Sequence, residues 1–202
     1  MATSAGASAI GLVAGMPSGP GVIEESLIAD IASRTPPGVS SFLLTSETDT
    51  DAIEAQHRRC RTSVIQLTDW VEPTERVRLS TALPGVRIVQ VVHVVDRGSI
   101  ETAAAAIEGS DALLLDSGNP GLAIKELGGT GRVHDWSLSR EIVASSHLPV
   151  FLAGGLRSEN AGEAVRAVRP FGLDLCTGVR TDGHLDAEKL RRFMDAAGSR
   201  GL

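Results

Sequence analysis

Seven short runs rich in Val, Ile and Leu punctuate the chain, each an unbroken apolar stretch rather than an alternation of apolar and polar positions. They are AIGLVAG (Ala9 to Gly15), VSSFLLT (Val39 to Thr45), VIQLT (Val64 to Thr68), RIVQVVHVV (Arg87 to Val95), ALLLDS (Ala112 to Ser117), VFLAGG (Val150 to Gly155) and LDLCTG (Leu173 to Gly178). Unbroken runs of this length read as parallel strands covered on both faces. The stretches between them carry apolar residues at helical spacing, such as Ile23, Leu27 and Ile31, or Ala164, Val165 and Val168. The pattern predicts an α/β fold on a parallel sheet; periodicity does not decide between a closed barrel and an open sheet.

The punctuation agrees with that alternation. Asp49, Ser99, Asp135, Ser158 and Asp186 stand where helix N-caps are expected, and Thr74 lies beside Pro73 at the start of the third helix. Pro36-Pro37-Gly38, Pro84-Gly85 and Gly109 mark helix ends. The Arg58-Arg59 pair, with Arg61 close behind, reads as a solvated helix end that implies no partner.

Composition narrows the function classes. The 202 residues are 42% hydrophobic and 22% charged, which suits one globular domain over residues 1–202. No run approaches the length of a membrane span, and the opening MATSAGASAIGL lacks a basic flank, so a soluble cytoplasmic protein is expected. A net charge of −6 and 3% aromatic residues give neither a basic footprint nor stacking platforms for nucleic acid. The cysteines, Cys60 and Cys176, are too few for a zinc cluster or a disulfide scaffold, and no metal site is expected.

Glycine-bearing turns follow the last three runs: Gly128-Gly129-Thr130-Gly131 in the long loop after Asp116, then Gly154-Gly155, then Gly178. Such turns let backbone N–H groups approach an anion closely, with a helix N-terminus adding its positive dipole end. Three in succession predict a phosphate site built without lysine.

Four blocks in order, DALLLDS (Asp111 to Ser117), GGTGRVHDWSL (Gly128 to Leu138), PVFLAGGL (Pro149 to Leu156) and RPFGLDLCTGV (Arg169 to Val179), resemble the phosphoribosylanthranilate isomerase family of tryptophan biosynthesis. The resemblance runs from about Val86 to Phe193. It implies a TIM-barrel-like (βα) fold, here with seven βα units, and a phosphorylated sugar-like ligand. It places phosphate-binding groups at Gly128, Gly129, Thr130, Gly154, Gly155, Gly178 and Val179, assigns Asp116 the general acid of an Amadori rearrangement, and requires no cofactor or metal.

The first half departs from the family. Its opening strand carries Lys-x-Cys-Gly, whose cysteine is the general base, whereas Met1 here stands shortly before the strand at Ala9. A Ser-Pro-Arg-Tyr-Val motif, whose arginine holds the anthranilate carboxylate, reads Ser18-Gly19-Pro20-Gly21-Val22, and Gln-Leu-His-Gly reads Gln66-Leu67-Thr68-Asp69. His93 and Cys176 are the available substitutes for the base, with Asp174 a second carboxylate two residues before Cys176. An interior histidine also serves as a packing residue, and Cys176 suits packing under the phosphate turn. Weak or absent isomerisation is expected, with a non-catalytic phosphate-ligand binder or regulatory paralogue as the alternative. Seven strands must close among themselves, use Met1 to Ser8 as a stub, or leave two edges that invite a second copy; a homodimer is expected.

Overall fold

The computed structural model describes residues 1–17, 21–118, 121, 127 and 133–198. In it the seven runs become β1 (Ala9–Val13), β2 (Ser40–Thr45), β3 (Val64–Leu67), β4 (Arg87–His93), β5 (Ala112–Asp116), β6 (Val150–Leu152) and β7 (Gly172–Leu173). Helices α1 (Glu25–Ser33), α2 (Thr50–Cys60), α3 (Pro73–Ala82), α4 (Ser99–Ala106), α5 (Trp136–Ser145), α6 (Ser158–Val168) and α7 (Ala187–Gly198) alternate with them. A hairpin of β8 (Arg180–Thr181) and β9 (His184–Leu185) precedes α7. All seven main strands are parallel and lie in chain order, β1 to β7.

One face of this sheet gathers Val64, Val89, Val91, Ala112, Leu114 and Ala153, with Phe42 and Phe151 against them. The residues between them, such as Ile65, Leu67, Leu113 and Leu115, point the other way into the helical layer. Phe42 on β2 and Phe151 on β6 meet edge to face with ring centroids 6.4 Å apart. Strands four places apart in a flat sheet would be separated by roughly 19 Å. The sheet is therefore curled, and the first face is the inside of an incomplete barrel. Gly172 belongs to this closure, because a Cβ there would lie 2.9 Å from the Phe151 ring.

The sheet ends at β1 and β7, which do not pair with each other. The chain itself covers the upper outer edge of β1: Val22 bridges to Val13, and Ile23 N–H donates to the Val13 carbonyl at 2.9 Å. The first residues do not add a strand. They form a short 3-10 turn, Thr3–Ala5, with Ala5 packed into the cluster that holds Met194 of α7.

Local expectations divide. Asp49, Asp135 and Asp186 cap their helices by accepting from Ala52 N–H (2.9 Å), Ser137 N–H (2.8 Å) and Glu188 N–H (3.0 Å). Ser99 and Ser158 are not caps but first helical residues. Ser99 Oγ accepts from Val95 N–H at 3.0 Å, and at α6 Asn160 Oδ1 accepts from Arg157 N–H at 2.8 Å. In α1 the stripe is shifted by one residue: Ile28 is fully buried and Leu27 is 45% exposed, because the helix begins only at Glu25, after Ile23. β7 is shorter than the run from Leu173 to Gly178, since the chain leaves the ladder after Asp174 N–H donates to the Leu152 carbonyl.

Candidate active site

Parallel partners in register project to the same side of a sheet, and His93 is the register partner of Asp116. Counting back by two along β5 reaches Leu114 and Ala112, and along β4 reaches Val91 and Val89, all on the inner face. Asp116 and His93 therefore both enter the barrel at the C-terminal ends of their strands. Asp174 joins them, two residues beyond Gly172, the register partner of inward-facing Phe151. This mouth is where enzymes of barrel architecture place their chemistry.

Asp116 is buried, and one of its oxygens accepts from Ser117 N–H at 2.7 Å. Asp174 is pushed up from the ordinary 3.8 to about 6, first by burial and second by the charge of Asp116, against a smaller opposing hydrogen bond from Leu175 N–H. Asp174 thus retains its proton above the usual carboxylate range.

His93 Nε2 lies 3.0 Å from the Thr68 carbonyl oxygen. A carbonyl only accepts, so Nε2 carries the proton and Nδ1 is left as the basic nitrogen. That Nδ1 is buried and has no hydrogen-bond partner. The carbonyl that fixes the tautomer belongs to Thr68, which stands where the family motif has its histidine.

Cys176 does not suit the base role. Burial pushes its thiol up, Asp174 adds to the effect, and Arg180 opposes it. A second imidazole, not singled out by sequence, is His134 in the segment GGTGRVHDWSL. His134 Nε2 is 2.7 Å from Ser139 Oγ, while its Nδ1 is buried without a partner. Burial lowers its pKa, and the charges of Asp116 and Asp135 act in the other direction. The signal was the position of a histidine just after the GGTG loop, on the same barrel mouth.

Of the expected phosphate turns, Gly128, Gly129 and Thr130 lie outside the described residues. The other two turns come together. Gly154 and Gly155 adopt left-handed φ of 83° and 61°, and a Cβ on Gly178 would stand 1.9 Å from the Leu156 carbonyl oxygen. Only glycine lets the turn after β7 press against the loop after β6 in this way. Val179, on the 3-10 turn Thr177–Val179, is buried in the core, so it can offer a ligand only its backbone. Asn160 Nδ2 donates to the Gly155 carbonyl at 3.0 Å and ties the β6 turn to the start of α6.

A family model for N-(5'-phosphoribosyl)anthranilate isomerase matches residues 29–196. The isomerase of Methanocella arvoryzae is 35% identical, covering 94% of this chain and 87% of its own length. That of Natronomonas pharaonis is 36% identical, covering 98% and 90%. The crystal structure of the Thermus thermophilus isomerase superposes with a TM-score of 0.80 at 25% identity, covering 98% of this chain and 91% of that one. No helix among the described residues is long and apolar enough to cross a membrane. The match spans most of the chain and includes His93, Asp116 and Asp174, and by it the chain belongs to the N-(5'-phosphoribosyl)anthranilate isomerase family.

Proposed function

We propose that this protein is a slow cytoplasmic isomerase of N-(5'-phosphoribosyl)anthranilate, with Asp116 as general acid and His93 as general base. The Gly154-Gly155 and Gly178-Val179 turns, with Gly128, Gly129 and Thr130, hold the phosphate. Asp116 protonates the ribose ring oxygen, the C1–O bond breaks, and an iminium forms at C1. His93 Nδ1 then removes the C2 proton; the C2–H electrons become the C1=C2 bond and the iminium nitrogen recovers its pair. Transfer of the C2 hydroxyl proton to C1 completes the ketone. The observation that carries this reading is the orphaned basic Nδ1 of His93 in register with Asp116.

The rate is slow because the imidazole approaches C2 from β4, whereas the family motif carries its base on a different strand. A general base contributes about 10²–10⁴-fold when well placed. Conversion of N-(5'-phosphoribosyl)anthranilate, followed by separating substrate from product, tests the reading. Asp116→Asn should bind the substrate and fail to turn it over. Binding without turnover by the unaltered protein would support a non-catalytic phosphate-ligand binder instead.

A further inference from the structure

Anthranilate carries a carboxylate, and the groups assigned above leave it without a cation. On the rim at the strand C-termini, Arg97 pairs with Glu141 at 3.0 Å and Arg157 with Glu159 at 3.6 Å. Arg180, one residue past the glycine turn after β7, pairs with no carboxylate among the described residues. Its Nη1 donates to the Gly183 carbonyl at 2.8 Å, which fixes the guanidinium over the hairpin. Its Nη2 lies 3.6 Å from the point a Cβ on Gly21 would occupy, and that same point is 3.9 Å from Val13 at the end of β1. The side chain therefore reaches across the seam between the last strand and the first, into space that Gly21 leaves open.

Burial pushes the Cys176 thiol up; the charge of Arg180 pulls it down and that of Asp174 adds to the rise. Arg180 and the inward-facing Asp174 thus both lie close enough to Cys176 to act on its thiol. Arginine is suited to this position, because its planar fork stays charged and matches a carboxylate in two parallel hydrogen bonds. Gly183 occupies one nitrogen and leaves donors for a ligand.

We propose that Arg180 receives the carboxylate of the ligand's aromatic half, across the seam between β1 and β7. The proposal rests on the isomerase reading and adds a specificity-determining residue to it. Calorimetry with two probes tests it: an N-(2-carboxyphenyl)-1-amino-1-deoxyribitol 5-phosphate and the same compound lacking the carboxyl group. The unaltered protein should prefer the carboxylated probe by at least about tenfold, the effect of one hydrogen bond to a charged group. Arg180→Met should bring the two affinities together, and Arg180→Lys should restore part of the difference. Equal affinity of the unaltered protein for the two probes, or an Arg180→Met variant that keeps the preference, overturns the assignment. Binding of neither probe overturns both the assignment and the isomerase reading beneath it.

Discussion

At the scale of single residues, the site depends on environments that the one-dimensional sequence does not contain. His93 is one of 5 histidines, and nothing in its neighbours singles it out as a base. Its tautomer becomes fixed only when the Thr68 carbonyl, on another strand, takes the Nε2 proton. Asp174 shows the same dependence, since its raised pKa comes from burial and from Asp116 across the barrel mouth. The sign of that shift makes a stability prediction. With a native pKa of about 6 against an ordinary 3.8, the folded protein binds more protons than the unfolded chain between roughly pH 4 and 6. Stability therefore falls as pH rises through that window, and the loss, on the order of 1–3 kcal/mol, is complete above it. Asp174→Asn should be more stable than the unaltered protein at pH 8, with the difference shrinking towards pH 4.5. Urea denaturation midpoints at both pH values check this; an identical difference at the two would contradict it. The glycine turns were far more legible, because a residue required for its missing side chain announces itself by type alone. Gly154, Gly155 and Gly178 could be named from the sequence, whereas the Leu156 carbonyl that crowds Gly178 could not.

At the scale of elements, the alternation of seven strands with helices was readable because buried parallel strands and amphipathic helices have distinct periods. Aspartate caps were readable too, since their chemistry is local. Errors fell where tertiary contact overrides the local signal: α6, whose N-terminus is held by Asn160 rather than Ser158, and β7, which ends when its chain turns into the mouth. Arg76 is the clearest contact of that kind. Its side chain is fully buried on α3, donates to the carbonyls of Val71, Ala105 (2.8 Å) and Glu108 (3.0 Å), and stacks over the Trp70 ring at 5.0 Å. It thus satisfies carbonyls at the end of α4 and clamps the loop after β3 that carries Thr68. The cation is held by backbone dipoles and a π-face, and burial lowers its pKa, with the charges of Glu72 and Glu108 opposing. Arg76→Met would leave those carbonyls buried and unpaired, which costs about 1–3 kcal/mol for each such group. A total loss of about 3–5 kcal/mol is expected in chemical denaturation. A variant within 0.5 kcal/mol of the parent, the range of ordinary surface changes, would show that the clamp is not structural.

At the scale of the whole molecule, a parallel sheet curls far enough for Phe42 and Phe151 to touch, yet β1 and β7 remain its two ends. Periodicity could predict the strands and not their closure, because curling is set by contacts between strands four places apart. The upper edge of β1 is covered by Val22 and Ile23, and the turn Thr3–Ala5 lies against α7 rather than in the ladder. Backbone groups left at such edges favour pairing with another chain. A homodimer formed across the seam is the expected assembly, and light scattering at micromolar concentration checks it: a dimer mass agrees, and a monomer mass with rapid hydrogen exchange along β1 and β7 does not. All of these features serve one arrangement, in which the inner-face residues His93, Asp116 and Asp174 meet above a floor closed by aromatic rings. In the proposed reaction, His93 Nδ1 removes the substrate's C2 proton. The most direct test is the turnover number of the purified protein and of His93→Gln on N-(5'-phosphoribosyl)anthranilate. Measurable turnover is expected of the unaltered protein, below the roughly 1–10³ s⁻¹ typical of enzymes, with a further loss of at least about 100-fold in His93→Gln. Turnover left unchanged by that substitution would contradict this role of His93.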